Sequence, residues 1–233
     1  GLEVDAYSLS SLLAACRNGT EDEASQALDV FVEFQHHARL STVVCNAALD
    51  LCARQKLFTL AFDVFHSMTC PDVITFNILI LACGQGRDLT RANQVFDQMM
   101  KARVKPNIRT YGAMIYTASR AGEYACAVRY FEDMRRRGIK PNSYIYTTLM
   151  SVHAKTKDLQ AALQVYDTMR SEGIVISVVS YGSLLDACSR ASDTNEALRV
   201  YSHMLQAGIT PNDLCHNMLI RICSGAGYLD KML

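Results

Sequence analysis

Nine cysteines are the side chains of this chain best suited to chemistry, as metal ligands, disulfide partners or nucleophiles. No two of them are separated by just two residues, so the Cys-x-x-Cys pair of a structural zinc site is missing. Five of them recur at one position of an internal repeat: Cys16, Cys52, Cys83, Cys188 and Cys223. Residues that recur in this way line one stripe of a stacked fold, where a free cysteine acts as a small buried hydrophobe. We therefore predict that these cysteines pack rather than bind metal, which suits a reducing compartment.

Catalytic motifs are missing from the sequence as well. It contains no nucleophile elbow, phosphate-binding loop, His-Glu-x-x-His motif or paired-carboxylate pattern. His36 and His37 lack a partner at metal-ligand spacing, and His153 stands at the position that the five cysteines occupy elsewhere. We predict that these residues contain no enzyme active site and need no cofactor.

Charge and hydropathy narrow the range of partners. The 23 basic and 23 acidic side chains give a net charge of zero, so no whole-molecule field attracts nucleic acid or a membrane. A polyanion would have to be bound by cations placed locally. Half of the residues are hydrophobic, but no run approaches the ~20 apolar residues that cross a bilayer. Few prolines and frequent alanine, leucine and methionine predict an all-α fold that does not enter a membrane.

A repeat of 35 residues positions these side chains. Its markers share a helix-capping second residue, and they stand at Pro71-Asp72, Pro106-Asn107, Pro141-Asn142, Ile176-Ser177 and Pro211-Asn212. An apolar helical face follows each marker, and a short polar link leads to a second periodic stretch that ends in methionine. Those methionines, predicted to be core residues, are Met68, Met99, Met134, Met169 and Met204. One helical hairpin cannot bury both of its faces alone, so the repeat predicts a stack of hairpins, an α-solenoid.

The repeat also predicts the domain organisation. We expect a single solenoid over residues 1–233, with units at approximately 6–41, 42–72, 73–107, 108–142, 143–177 and 178–212 and a partial unit at 213–233. The second unit is shorter because the connection from Met68 to Asp72 is shorter. The last unit stops inside its second helix without the polar cap that solenoid ends need. We expect further sequence beyond residue 233, and the exposed half-repeat could support dimerisation.

The repeat resembles the pentatricopeptide repeat family, whose motif is similar to Val-Thr-Tyr-Asn-x-Leu-Ile, then Ala-x-x-x-Phe-x-x-Met, then Gly-Ile-x-Pro-Asp. The tetratricopeptide repeat differs, with a 34-residue period and its own Trp, Leu-Gly and Tyr pattern. The resemblance implies a right-handed superhelix that binds single-stranded RNA, one base to each repeat. It also implies work in a chloroplast or mitochondrion, in RNA processing, stability, splicing, editing or translation.

Two residues of each repeat would read the base edge. The resemblance places the first of them on the inner face of the first helix, at Ser10, Asn46, Asn77, Gly112, Thr147, Gly182 and Asn217. The second is the last residue of the repeat, at Ser41, Asp72, Asn107, Asn142, Ser177 and Asn212. The family's rules imply uracil for Asn46 with Asp72, either pyrimidine for Asn77 with Asn107, adenine for Gly112 with Asn142 and Gly182 with Asn212, and a purine for Thr147 with Ser177 and Ser10 with Ser41.

Two further positions would line the same groove. Three residues before the first reading residue, the base would stack on Tyr7, Val43, Ile74, Arg109, Tyr144, Val179 and Leu214. Arg109 and Tyr144 depart from the family's aliphatic pattern, although both side chains can stack on a base. Eight residues after the reading residue, phosphate would be bound by Arg54, Arg120, Lys155 and Arg190. Four cations at one repeat position indicate a polyanion ligand despite the zero net charge.

Other interpretations remain open at this level. The polar reading residues could simply cap or solvate the first helices, and the cations could complement helix dipoles. The solenoid could be a protein-interaction scaffold in an organellar ribosomal, transcription or RNA-processing complex. It could also be the RNA-docking arm of a larger RNA-processing enzyme.

Overall fold

A computed structural model describes residues 6–37 and 40–225, which form thirteen α-helices and one 3-10 turn (Cys16–Asn18) and contain no β-strand. The helices are α1 (Ala6–Ala15), α2 (Glu21–His37), α3 (Thr42–Arg54), α4 (Phe58–Ser67), α5 (Val73–Gln85), α6 (Leu89–Lys101), α7 (Ile108–Ala121), α8 (Tyr124–Arg136), α9 (Ser143–Lys155), α10 (Leu159–Ser171), α11 (Val178–Ala191), α12 (Thr194–Gln206) and α13 (Asp213–Gly225). The all-α prediction is confirmed.

The chain divides into two compact units, residues 1–122 and 123–233. In the first unit α1, α3, α5 and α7 pack successively on one another, and the second helices α2, α4 and α6 pack against them. In the second unit α9, α11 and α13 form the same kind of layer, with α10 and α12 packed between consecutive members. Each unit therefore stacks helices as the predicted α-solenoid does.

Side-chain caps fix where the first helices begin. The Asp72 carboxylate accepts a hydrogen bond from the Thr75 N–H at 2.9 Å, and the side-chain oxygen Oδ1 of Asn107 accepts one from the Thr110 N–H at 3.1 Å. In both cases the threonine hydroxyl accepts the N–H of the capping residue, which completes a capping box. A cap of this kind stabilises a helix by about 1 kcal/mol. The marker dipeptides of the sequence are thus helix starts.

A recurring aromatic contact joins the first helices from α5 onwards to the second helices before them. Edge-to-face pairs with ring centroids 5.6–6.3 Å apart join Phe65 to Phe76, Phe96 to Tyr111, Phe131 to Tyr146, Tyr166 to Tyr181 and Tyr201 to His216. Such pairs contribute about 0.5–1.5 kcal/mol beyond the burial of their area. The second member of every pair immediately precedes a predicted base-reading residue. The core thereby sets the position of the predicted site.

Most of the predicted core residues are buried, with two exceptions. Met99, Met134, Met169 and Met204 have no exposed surface, whereas Met68 is half-buried. Helix α4 ends at Ser67, so Met68 is its extended C-cap rather than a residue of its packed face. Among the five repeat-position cysteines only Cys16 is half-buried, because α1 ends before it and it opens the 3-10 turn. The prediction of full burial is wrong at these two positions.

Replacing Gly84 with alanine is expected to destabilise the first unit. A Cβ atom at Gly84 would lie 2.6 Å from Thr117 Oγ1 and 3.1 Å from a Tyr116 ring carbon, where α5 packs against α7. The Thr117 hydroxyl cannot retreat freely, since it donates to the Ile80 carbonyl at 3.1 Å. Overpacking of this kind costs about 1–3 kcal/mol, measurable by urea unfolding. Gly86→Ala is the control, because its Cβ would meet nothing closer than 3.5 Å; equal losses in both variants would contradict the packing argument.

His153 is expected to make the stability of the second unit depend on pH. Burial lowers the pKa of its imidazole below the ordinary 6.5, although the charge of Asp158 acts in the opposite direction. The unfolded chain therefore takes up the proton first, so stability falls as pH drops through about 6.5 towards the lower pKa of the folded state. His153→Cys, which restores the residue of the other repeats, should flatten the Tm between about pH 7 and pH 5. An unchanged pH profile in a thermal denaturation series would refute this role.

Candidate nucleic-acid interface

Asn46 and Asp72 lie side by side at the junction of α3 and α5. The Asn46 amide Nδ2 donates to Asp72 Oδ1 at 3.1 Å, while the Thr75 hydroxyl donates to Asn46 Oδ1 at 2.7 Å. Asn46 is only 8% exposed, so most of its side chain is shielded from solvent. These contacts involve Oδ1 of Asp72 and leave its second carboxylate oxygen, Oδ2, outside the network. The structure thus brings together the two residues that the sequence paired across 26 positions.

Asp72 is the charged member of this pair. Burial on its own would raise the pKa of its carboxyl, but hydrogen bonds from the Thr75 N–H, the Asn46 amide and the Ile74 N–H, together with the polar Thr75 hydroxyl 2.9 Å from Oδ1, outweigh that effect. The net result is a pKa below the ordinary value, and the group is ionised at neutral pH. The pair therefore offers a ligand one negatively charged acceptor, Asp72 Oδ2, beside the second amide hydrogen of Asn46.

Asn77 and Asn107 occupy the next pair of positions with different bonding. The Asn107 side-chain oxygen Oδ1 accepts the N–H groups of Arg109 and Thr110, at 2.9 and 3.1 Å, as the cap of α7. Asn77 is also 8% exposed, but its Oδ1 is buried and has no hydrogen-bond partner within the described residues. Both side chains are amides, so this pair carries no fixed charge.

The second unit shows hydroxyls and glycine at the same positions. The Thr147 and Ser180 hydroxyl oxygens are 2.7 Å apart, and Ser177 Oγ lies 3.3 Å from Ser180 Oγ. Gly182 is buried in α11, yet a Cβ added there would meet nothing within 4 Å. The space in front of Gly182 is therefore open, as a binding groove requires.

Capping explains part of the pattern of second reading residues. Asp72, Asn107, Asn142, Ser177 and Asn212 each accept a backbone N–H of the following first helix through one side-chain oxygen. Ser41 precedes α3 without such a bond. A cap uses one oxygen of Asp or Asn and leaves the other oxygen or the amide nitrogen available. The capping role and a reading role are thus compatible in the same side chain.

The remaining reading positions differ in exposure. Ser10 is half-buried on α1, Gly112 is buried on α7, and Asn217 is exposed on α13.

Exposed apolar side chains stand one helical turn before the reading residues. Their exposed fractions are 54–69%, and they are Val43, Ile74, Tyr144, Val179 and Leu214. Arg109 at the same position is exposed as well, and the Tyr7 side chain lies outside the described residues. Large apolar groups are seldom left so exposed at a regular spacing without a partner. The row therefore places an exposed apolar side chain one helical turn before five of the reading residues.

The predicted phosphate-binding cations fall into two groups. Arg54 Nε lies 3.0 Å from Asp50 Oδ2, which also pairs with Arg17 at 2.8 Å, and Arg190 Nε lies 2.8 Å from Asp186 Oδ2. Lys155 Nζ instead lies 5.9 Å from the centre of the Tyr124 ring. Arg120 has an exposed side chain and forms no ion pair within the described residues. Two of the four cations are thus partly neutralised by an aspartate one turn earlier.

The sequence interpretation missed Arg221, a further cation close to the predicted phosphate-binding residue Arg190. Its Nη2 donates to Ser189 Oγ at 2.8 Å, and it lines a cavity of about 510 Å³ with Arg190 and Lys157. In this repeat Gly225 occupies the position that Arg190 has in the repeat before it. Arg221 supplies a cation from one turn earlier in α13. A search for basic residues one turn before the expected position would have found it.

The buried cysteines have the chemistry of packed thiols. Burial raises the pKa of Cys52, Cys83 and Cys188 to about 12 in each case. A thiol with such a pKa stays protonated and is neither a good nucleophile nor a ready metal ligand. Within residues 6–37 and 40–225 no three His, Cys, Asp or Glu side chains are placed to hold a metal ion. None of the helices in those ranges has the length and apolar run that crossing a bilayer requires.

Helical hairpins stacked at a nearly constant spacing define a helical-repeat protein. Two protein-family models match the chain. The model described as the Pentacotripeptide-repeat region of PRORP matches residues 72–233, and the model described as the Pentatricopeptide repeat domain matches residues 30–85. The chain belongs to the pentatricopeptide repeat family, as the sequence resemblance predicted.

Relatives in Arabidopsis thaliana carry the same repeat. Pentatricopeptide repeat-containing protein At2g20540 is 27% identical over 106 residues, which is 46% of this chain and 20% of that protein. Protein At3g02330, named as mitochondrial, is 28% identical over 107 residues, or 46% of this chain and 12% of its own length. The chain therefore spans a fifth or less of these curated relatives.

Solved structures share the fold. The pentatricopeptide repeat protein PPR10, in complex with an 18-nt psaJ RNA element, matches with a TM-score of 0.70 and 24% identity over 97% of this chain and 32% of that one. The PPR domain of Arabidopsis thaliana protein-only RNase P 1, in complex with tRNA, matches with a TM-score of 0.64 and 17% identity over 76% of this chain and 95% of that one. The matched part of that enzyme is its repeat domain.

Proposed function

We propose that this chain binds single-stranded RNA in a sequence-selective manner, with one base at each repeat. The observation that carries the proposal is the Asn46–Asp72 pair, in which an amide hydrogen and an ionised carboxylate oxygen remain available at a groove. An unpaired base presents its hydrogen-bonding edge to such groups, because no second strand occupies that edge. The membership of the repeat family and the likeness to PPR10 support the same function.

The chemistry of the pair matches uracil. The uracil edge carries an N–H donor flanked by carbonyl acceptors, so it can donate to Asp72 Oδ2 and accept from the Asn46 amide. Cytosine presents an acceptor nitrogen at the same place, and a carboxylate would repel it. The Asn77–Asn107 pair has amides in place of the carboxylate and can serve either pyrimidine. Gly182 leaves open space, which suits a larger purine.

Stacking and phosphate contacts would supply sequence-independent affinity. The exposed Val43, Ile74 and Val179 side chains offer apolar faces to bases, and base stacking contributes about 1–3 kcal/mol per base. Arg120, Lys155 and Arg221 would each contact a phosphate of the bound strand. Affinity from these sources requires no net positive charge of the whole chain, since only local cations meet the phosphates.

RNA binding by these residues is proposed as a docking role without catalysis. The likeness to the repeat domain of protein-only RNase P 1 supports an arm that presents RNA to an enzyme, and the 12–20% coverage of the curated relatives leaves room for other domains. An organellar location is proposed, with support from the relative named as mitochondrial. Protein partners in an organellar RNA-processing, transcription or ribosomal complex remain a second proposal, which the exposed apolar row favours.

Selection from a random single-stranded RNA pool tests the function directly. We expect enrichment of a core with uracil followed by a pyrimidine, bound with a log-log salt slope of about −0.7 for each phosphate contacted. With two to four contacts the slope should lie between about −1.4 and −2.8. If no sequence is enriched and no RNA is bound at low salt, the function is refuted and the protein-scaffold alternative gains.

A further inference from the structure

Thr75 lies behind the Asn46–Asp72 pair and contacts both of its members. Its hydroxyl oxygen is 2.7 Å from Asn46 Oδ1 and 2.9 Å from Asp72 Oδ1, and it accepts the Asp72 N–H at 3.1 Å. Thr75 has no exposed surface, so it cannot touch a ligand itself. Neither reading position of the repeat includes it.

The Thr75 hydroxyl determines which way the Asn46 amide faces. An asparagine amide has two orientations that exchange its oxygen and nitrogen. In the observed orientation the oxygen receives the hydroxyl hydrogen and the nitrogen donates to the carboxylate. The reversed orientation would direct the amide oxygen at the negative Asp72 carboxylate, and only the observed one supplies the oxygen with the Thr75 hydrogen. The second amide hydrogen is therefore held in one place.

The next repeat provides a natural contrast. Thr110 occupies the equivalent position, but its hydroxyl lies 3.2 Å from Asn107 Oδ1, and the buried Asn77 Oδ1 has no partner within the described residues. Nothing there distinguishes the two orientations of the Asn77 amide. An amide free to reverse can present either a donor or an acceptor, as two different pyrimidines require.

In most repeats, the residue at the position of Thr75 carries a hydroxyl where the first reading residue has a polar side chain, and lacks one where that residue is glycine. Ser180 contacts Thr147, at 2.7 Å between hydroxyl oxygens, so a buried hydroxyl again supports a polar reader. Ile145 and Cys215 stand at the same place after the glycines Gly112 and Gly182, which have no side chain to orient. Val44, which follows Ser10, departs from this pattern.

We infer that the Thr75 hydroxyl is a third, positioning member of the base-reading unit, and that its hydrogen bond to Asn46 makes this repeat select uracil over cytosine. The inference rests on the proposed RNA binding. Serine at position 75 should retain the effect, and valine, similar in shape but unable to donate, should abolish it.

The first test measures base preference. We expect Thr75→Val to reduce the uracil-to-cytosine affinity ratio at the base read by Asn46 about fivefold, the factor that one ordinary hydrogen bond supplies. Thr75→Ser should restore it. Thr110→Val is the matched control, because it also removes a buried capping-box hydroxyl that contacts the capping residue, here Asn107, but it removes no contact to Asn77. It should lower the Tm similarly and leave the ratio at the Asn77 base unchanged.

The second test needs no RNA. Side-chain amide NMR of the free protein should show Asn46 protons protected from exchange in wild type and in Thr75→Ser, and less protected in Thr75→Val. Unchanged protection, or an unchanged uracil preference in a Thr75→Val protein that still binds RNA, overturns the inference while RNA binding stands. A wild-type protein that binds no RNA overturns both the function and the selecting role, whatever the NMR result.

Discussion

Replacing Asp72 with asparagine is expected to turn a uracil-selective repeat into one that accepts cytosine almost as well. The substitution removes the ionised Oδ2 acceptor, whose hydrogen bond to the base is charge-assisted and contributes about 1.5–3 kcal/mol. The uracil-to-cytosine ratio at that base should therefore fall by about ten- to a hundredfold. Asparagine caps helices as well as aspartate, so the Tm should change little. Competition binding with two RNAs that differ only at this base measures the ratio.

The reciprocal change supplies the control. Asn107→Asp places a carboxylate beside Asn77 and should raise the uracil preference of that repeat by about tenfold, because it adds one charged acceptor. The two variants exchange the residue types of neighbouring repeats and alter the same kind of cap. If both variants change the preference in the same direction, or neither changes it, position 72 does not read the base.

Neutralising Arg120 and Lys155 together is expected to weaken RNA binding at every sequence alike. The residues four positions before these two cations are Tyr116 and Ser151, whereas Arg54 and Arg190 follow aspartates at that spacing. With both replaced by glutamine, the log-log salt slope should become shallower by about 1.4, which corresponds to two lost phosphate contacts on a single strand. Base preference should remain, since phosphate contacts position RNA without reading it. Salt titrations of one RNA with wild type and variant provide the measurement.

The paired cations should respond in the opposite direction when their aspartates are removed. Asp50→Asn and Asp186→Asn would release Arg54 and Arg190 from ion pairs that contribute about 0.2–1 kcal/mol each. Tighter binding and a steeper slope are expected, with little change in stability. Arg129→Gln with Arg136→Gln on α8 removes the same charge as the double change at Arg120 and Lys155 and is its control, which should leave the slope unchanged. A slope that follows net charge alone in all variants would contradict a localised phosphate path.

The fold was readable from the sequence because its signal repeats. A capping-type residue before the first helices from α3 onwards, and a methionine at the end of the second helices from α4 onwards, fix the hairpins without any knowledge of their contacts. The two errors, at Met68 and Cys16, fall where a connection shortens and where an α-helix gives way to a 3-10 turn. Both are local departures from the repeat, and periodicity cannot register them.

The site was only partly readable. Repeat alignment paired Asn46 with Asp72, and the structure places their side chains 3.1 Å apart. Arg54 and Arg190 each follow an aspartate by four residues in the sequence, the spacing of an ion pair on a helix. Acidic residues are common along helices, however, so this spacing alone does not predict which cation an aspartate neutralises. The different hydroxyl orientations of Thr75 and Thr110 could not be predicted, because identical residues at equivalent positions give different hydrogen bonds.

Because of the aromatic pairs and the caps, the segment of this protein that determines one base preference is not the same as one helical hairpin. From α4 onwards, an aromatic ring of each second helix contacts the residue just before a reading residue. The cap and the hydroxyl that complete the Asn46 reading unit belong to the next first helix, α5. A segment cut at the helical hairpin separates Asn46 from Thr75, whereas one from the start of α3 through Thr75 keeps them together. Recombination between genes, or a designer assembling new specificities, would have to respect this offset frame. The segment that specifies one base therefore spans parts of two hairpins. It runs from the start of one first helix to the first turn of the next.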